Sequence, residues 1–243
     1  GLWPGLLLAV RHNQCLQQNR IRIFESGLGF SQDGASLHQG VLLAGVITGT
    51  LTPEQWGIKS QLVDFFDAKG DVEALGLHRL GAVVFVAAEH PALHPGKTAK
   101  ILCNDQPVGW LGAIHPEVQK QLDLPTETLA FELNISALAR GTLPVFQPLS
   151  KFLPLRRDIA IIIDKNISSS KVLDCIKAQR QEILQDVLLF DVYDKGLDPA
   201  KRSLAIGLIL HGLDHTLGDA EINSAVSDVL RNLQDSFGAI LRA

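Results

Sequence analysis

Methionine is absent from the 243 residues, tyrosine occurs once and cysteine three times. Cys15, Cys103 and Cys175 are widely separated and odd in number. That excludes a disulfide framework and a cysteine-based zinc cluster, and fits a reducing, cytoplasmic compartment. Long apolar runs are missing too. The longest, Leu80 to Ala88 and Ile159 to Ile163, fall far short of the roughly 20 residues that span a bilayer, and no charged-then-apolar leader opens the chain. Charged residues make up 20% of the chain and the formal net charge is −4, so there is no basic arm or acidic tail, and global charge gives no sign of nucleic acid. These absences describe a soluble protein with no membrane partner. A chain that is 46% hydrophobic without methionine, starting at Gly1 inside what reads as an ongoing helix or strand, is expected to be a piece of a longer protein.

What is present divides into two parts. The stretch GTLPVFQPLSKFLP, Gly141 to Pro154, holds three prolines and little apolar periodicity, which marks a connection. It separates a domain over 1–143 from a second over 149–243, both of ordinary domain size. In the first, alternation predicts strands at Arg20 to Glu25, Val41 to Thr48, Ala82 to Ala88, Thr98 to Cys103, Val108 to Ile114 and Leu129 to Leu133. Asn104 to Pro107 reads as a hairpin turn. Apolar spacing behind Thr52-Pro53 predicts a helix over Pro53 to Gly70, and a short one follows at Pro116 to Gln121. The result is an α+β domain built on an antiparallel sheet. In the second, strands at Arg157 to Asp164, Val187 to Tyr193, Ser203 to His211 and Ala239 to Arg242 alternate with helices at Ser168 to Gln179 and Asp219 to Phe237. The order β-α-β-β-α-β is the ferredoxin-like split βαβ pattern.

Both helices of that pattern cover one face of the sheet, which leaves the other for use. Strict alternation assigns Ile159, Ile161, Ile163, Phe190, Val192, Leu204, Ile206, Leu208 and Leu210 to the covered face. Ala160, Ile162, Leu189, Asp191, Tyr193, Ser203, Ala205, Gly207 and Ile209 fall on the open one, with Lys201 and Arg202 beside them. An aromatic and a carboxylate over small residues suit a splayed RNA base, stacked on the ring and read through its amino edge. The alternative is a face packed on a neighbouring domain. Arg156 and Arg157 could meet phosphates at the sheet edge, or one of them could pair with Asp158 or a helix carboxylate.

Other candidates point to structure. His90 and His94 have four-residue spacing, but each is directly followed by proline in HPALHPGK, which favours a rigid loop over a helical metal site. His211 and His215 flank a turn with Gly212 and Asp214. Asp64, Asp67, Asp71 and Glu73 read as solvated carboxylates near a helix end rather than a magnesium site. No cysteine has a base at local spacing, so nucleophilic catalysis has no support.

The segments LSKFLPLRRDIAIII (149–163), LFDVYDKG (189–196), KRSLAIGLIL (201–210) and HTLGDAEI (215–222) resemble the anticodon-binding domain of bacterial phenylalanyl-tRNA synthetase beta subunits. QQNRIRIFESG (17–27), VDFFDAKGDVE (63–73), HPALHPGKTA (90–99), GWLGAIHPEV (109–118) and LAFELNISAL (129–138) are similar to the catalytic-like region of the same family. The resemblance implies a class II synthetase-like core portion without the catalytic set, followed by a ferredoxin-fold domain. It implies that the whole enzyme is an (αβ)2 heterotetramer joining phenylalanine to tRNA(Phe) with ATP and Mg2+, its active site in the alpha subunit, with no cofactor in this part. It further implies that Tyr193 stacks on the first anticodon base, with Asp191 and Ser203 beside it. No glycine-rich segment ending in an ATP-holding arginine follows RIRIFE, so Arg20 and Arg22 read as strand surface residues. Two departures stand out. Leu153 separates Phe152 from Pro154 where the family places proline directly after the aromatic, and the hairpin loop Asp194 to Ala200 is short and lacks the glycine before Lys201 and Arg202. The expected role is a non-catalytic part that scaffolds the alpha subunit and binds the anticodon. The alternative is a free-standing assembly or regulatory module that kept the folds without RNA binding.

Overall fold

The structure, a computed structural model, describes residues 1–33, 36–75, 83–135, 152–179, 183–212 and 215–242. The chain forms two compact units, Gly1–Val145 and Phe146–Ala243. The expected connection lies largely outside the described residues.

The first unit opens with a helix that alternation did not reveal, α1 (Trp3–Cys15). Pro4 sits in its first turn, where a missing N–H costs nothing, and Trp3, Leu6, Leu7 and Val10 recur at the 3.6-residue period and are buried. The later elements are β1 (Ile21–Asp33), β2 (Ser36–Thr48), α2 (Phe65–Ala74), β3 (Val83–Ala87), β4 (Leu93–Cys103), β5 (Gln106–Ile114), α3 (Pro116–Gln121) and β6 (Thr128–Asn134). The six strands form one antiparallel sheet in the order β1-β2-β6-β5-β4-β3. Its two faces carry separate cores. On one, α1 packs over Ile21, Ala44, Val46, Ile114 and Ala130; on the other, Ala68 and Val72 of α2 pack over Ile47, Ile101, Leu111, Leu129 and Leu133. The β4–β5 turn places Asn104 and Asp105 at φ 49° and 62°, the left-handed pair that a two-residue hairpin needs and that Asn and Asp tolerate.

The helix expected over Pro53 to Gly70 begins only at Phe65. Asp64 accepts the N–H groups of Phe66 (2.8 Å) and Asp67 (3.2 Å), and the Asp67 carboxylate accepts the N–H of Asp64 (2.8 Å). This reciprocal cap fixes the start twelve residues beyond Pro53. Residues 52–61 instead form an irregular loop, closed at its neck by the Leu51 N–H to Gln61 and Val63 N–H to Gly49 bonds, 2.8 and 3.0 Å. Trp56, Ile58 and Leu62, whose spacing suggested a buried helical stripe, are exposed.

The second unit runs β7 (Leu155–Asp164), α4 (Ser169–Ala178), β8 (Leu184–Tyr193), β9 (Lys201–Leu210), α5 (Asp219–Phe237) and β10 (Ile240–Leu241). Its sheet order is β10-β7-β9-β8, with every paired strand antiparallel. Ser168 caps α4 through the Lys171 N–H, and Gly238 ends α5 in the left-handed conformation at φ 63°. Val172, Ile176, Ile222, Val229 and Leu233 of the helices close over Ile159, Ile161, Ile163, Leu204, Ile206 and Leu208 of the sheet. The opposite face carries no helix of this unit among the described residues.

Candidate nucleic-acid interface

The open face is shaped by one irregularity in β8. Leu189 pairs with Ile206, but the next partner of β9, Ala205, faces Asp191, so Phe190 is an extra residue. A bulge of this kind puts two successive side chains on one side and reverses the alternation beyond it. The expected assignment of β8 is therefore corrected. Leu189 packs against the helix-covered core, while Phe190, expected in that core, is 47% exposed on the open face. Asp191 and Tyr193 keep the open side, opposite Ala205 and Ser203.

Two arginines lie on this face over aromatic rings. The Arg242 guanidinium is 4.8 Å from the centroid of Tyr193, and the Arg242 N–H donates to the Ala160 carbonyl at 2.8 Å, which fixes the base of that arm on β7. To reach β8 it crosses Ala160 and Ala205, register neighbours with almost no side chain. The Arg156 guanidinium is likewise 4.8 Å from the Phe190 centroid, and its Nε donates to Asp158 Oδ1 at 2.6 Å. Gly207 lies beneath that pair: a Cβ there would stand 3.0 Å from Arg156 Nε and 3.2 Å from Asp158 Oδ1. The small residues of β7 and β9 are thus the floor of a shallow surface whose polar layer is two cation–π pairs and two carboxylates, Asp158 and Asp191.

The other expected site residues divide. Arg157 sits on the opposite side of β7, with Nη2 3.8 Å from Asp219 at the start of α5, so the two arginines separate as adjacent strand residues must. Ser203 shares the open side in register but is only 2% exposed, covered between Tyr193 and Ile162. Arg202 points to the helix side, where Nη2 donates to the Ile167 carbonyl at 2.5 Å. Lys201 is exposed at the hairpin end, beside the Lys165–Asp194 ion pair at 3.8 Å. Phe190 and Arg242 were not among the expected residues. The signal for Phe190 is a bulge, which alternation cannot show, and Arg242 reaches the site only through the pairing of β10 with β7.

The other titratable groups that the sequence singled out make contacts within the fold. Asp64 and Asp67 cap α2, Asp71 accepts from Arg22 Nη1 at 3.3 Å, and Glu73 pairs with Lys69 at 2.5 Å. Arg20 donates to the Leu51 carbonyl at 3.1 Å. His94 Nδ1 accepts the Gly96 N–H at 2.9 Å. His90 accepts the Ala92 N–H at 3.2 Å and lies between the rings of Trp3 and Trp110, at 5.3 and 5.0 Å. Burial there holds its pKa below the usual 6.5, against the opposing charge of Glu132. His211 meets the Phe152 carbonyl at 2.6 Å and His215 the Glu221 carboxylate at 3.0 Å; Asp214 lies outside the described residues. No group of three metal-ligating side chains occurs among the described residues.

Residues 1–135 match the family model described as the phenylalanyl tRNA synthetase beta chain CLM domain, and residues 150–242 match the ferredoxin-fold anticodon binding domain. The chain belongs to the phenylalanyl-tRNA synthetase beta-chain family. It is 48% identical over 246 residues to the phenylalanine–tRNA ligase beta subunit of Nitrosococcus oceani, and 47% identical over 244 residues to that of Pseudomonas syringae. Each alignment covers 99% of this chain and 31% of the relative, so the chain spans about a third of the length of these beta subunits. The ferredoxin-fold match coincides with the unit that carries the bulged β8, and places the open face within a family module named for anticodon binding.

Proposed function

We propose that this chain is the part of a phenylalanine–tRNA ligase beta subunit that supports the alpha subunit and binds the tRNA(Phe) anticodon, so that the (αβ)2 enzyme can join phenylalanine to its tRNA. The observation that carries the RNA half is the single tyrosine, half exposed over a floor of alanine, glycine and serine, with a carboxylate two residues before it on the same side. A base stacking on Tyr193 replaces the Arg242 guanidinium. Stacking on an aromatic is worth about 1–3 kcal/mol per base, against about 0.5–1 for an exposed cation–π contact. Asp191 then accepts from an amino group on the base edge. The displaced Arg242, with Arg156 and Lys201, is left to meet phosphates. Ser203 contributes as part of the floor unless Tyr193 moves aside. Arg157 and Arg202 hold the strand ends, and their place in RNA binding is secondary.

The scaffold half rests on the first unit. β6 pairs only with Leu42–Thr48 of β2, so the β1–β2 hairpin projects past the sheet. Its one face carries Phe24, Leu28, Phe30, Leu37 and Val41, all exposed. An apolar face on an edge strand is a surface that a partner covers, and the alpha subunit is the partner that the family provides. ATP and Mg2+ belong to that subunit in this reading. Asp64, Asp67, Asp71, Glu73 and Arg22 of the first unit are taken up in a helix cap and ion pairs, and no group of three metal-ligating side chains occurs among the described residues, so no chemical step is assigned to this unit.

The test is an NMR titration of the chain with a stem-loop bearing the GAA anticodon and with a scrambled loop, at low and moderate salt. Shifts centred on Asp191 and Tyr193 with GAA preferred support the reading. Shifts indifferent to sequence that vanish with salt leave only phosphate attraction and favour the assembly module. Cosedimentation with the alpha subunit tests the scaffold half separately.

A further inference from the structure

The bulge in β8 leaves Phe190 without a place in the core. It exposes nearly half of a large aromatic surface on the same face as Tyr193, three residues and therefore about 10 Å along the strand. The Arg156 guanidinium lies over the ring, and its Nε bond to Asp158 ties it down above Gly207. The arrangement repeats the one at Tyr193: a ring, an arginine over it, and a neighbouring carboxylate beside small residues of β9. Leu188, also half exposed and opposite Gly207, extends the apolar rim.

We propose that Phe190, with Arg156 above it, is a second base platform that takes the nucleotide adjacent to the one on Tyr193, so that the open sheet binds two consecutive unpaired nucleotides. The proposal rests on the anticodon reading and deepens it. An exposed cation–π contact is weaker than a base–aromatic stack, so the base displaces the guanidinium. Arg156 stays tethered by Asp158 close enough to turn toward the intervening phosphate, where a positive charge is favoured. Phenylalanine has no edge groups to read with, so this platform accepts any base; discrimination stays with Tyr193 and Asp191. Phe190 is a positioning residue in this sense: it fixes the direction in which the strand crosses the sheet.

The experiment measures binding of the whole chain to labelled anticodon stem-loops in which single loop nucleotides are replaced by abasic sites. Phe190→Ala and Phe190→Leu are compared with Tyr193→Ala, after thermal melting shows each variant folded. Leucine keeps apolar bulk over the sheet but removes the flat ring, so it remains informative if the alanine variant fails to fold. The expected result is a loss of about tenfold for Phe190→Leu, no further loss when the nucleotide next to that on Tyr193 is abasic, and full sensitivity to that same abasic site in Tyr193→Ala. Wild-type affinity in folded Phe190→Leu, or a loss that is the same whichever nucleotide is abasic, overturns the second platform while leaving Tyr193 as an anticodon reader. A wild-type chain that does not distinguish GAA from a scrambled loop overturns the anticodon reading itself, and the second platform with it.

Discussion

Replacing Tyr193 with alanine tests the interface at its centre. In the free chain the ring holds the Arg242 guanidinium at 4.8 Å; in the proposed complex it holds a base. The substitution removes both contacts, so the change in affinity is their difference. A mid-range stack of about 2 kcal/mol less a mid-range cation–π contact of about 0.75 leaves roughly 1.25 kcal/mol, or about 8-fold in Kd. The fold should tolerate the change, because Tyr193 is 40% exposed and stands outside the packed helix–sheet core. Fluorescence anisotropy with a GAA stem-loop, repeated over a range of salt, reads two quantities. The Kd should rise by the stated factor. The slope of log K against log salt should stay where it was, because a phenol neutralises no phosphate. Arg242→Ala should behave in the opposite way: it removes the contact that the base must break, offsetting part of its loss, and lowers the magnitude of the slope by about 0.7, the value for one lost phosphate neutralisation on a single strand. Unchanged affinity in a folded Tyr193→Ala chain would falsify the stacking argument. A slope altered by Tyr193→Ala and not by Arg242→Ala would show that the roles have been exchanged.

Three further outcomes bear on the framework. Gly49 has φ +88°, and a Cβ there would stand 1.8 Å from the Asn19 carbonyl oxygen; Gly49→Ala should destabilise the first unit by at least about 1–3 kcal/mol in urea unfolding. Ile206 is fully buried at the centre of the second core, so Ile206→Ala should cost about 2–5 kcal/mol in the same assay, with the loss confined to the transition of the second unit. His90 should titrate below 6.5 by NMR, since burial favours its neutral form. Its contribution to stability is therefore complete above the unfolded pKa and is lost as pH falls from about 6.5 through the lowered folded value. Glu132 raises the His90 pKa against burial, so Glu132→Gln should lower it further. A rise in that variant would show that Glu132 does not act on the imidazole by charge.

Much of the architecture could be read from residues because local chemistry and tertiary contact agree there. α5 starts at Asp219, where a Gly218–Glu221 capping arrangement meets an apolar stripe of Ile222, Val229 and Leu233, and it ends at Gly238; cap, period and stop all point to the same helix. The stretch at Pro53 lacked that agreement. Thr52-Pro53 resembles a helix entrance, but Trp56, Ile58 and Leu62 have no core to face, and the backbone is taken into the neck of a loop by Leu51 and Val63. Periodicity states which residues could share a face, not whether anything covers it. The same limit governs the candidate site. Asp191 and Tyr193 were placed correctly because they are two residues apart and beyond the bulge, so their relation survives it. Leu189 and Phe190 straddle the bulge, and a period of two exchanges them. Whether β8 bulges depends on how ten residues fit against β9 with its irregularities at Leu184–Asp186 and Leu189–Asp191, a matter of sheet twist and cross-strand packing that no single strand encodes. Phe190 matters for this reason. Alternation assigns it to the core, where a phenylalanine is unremarkable. The pairing turns it outward onto the face that carries Tyr193, where nearly half of its ring surface is open.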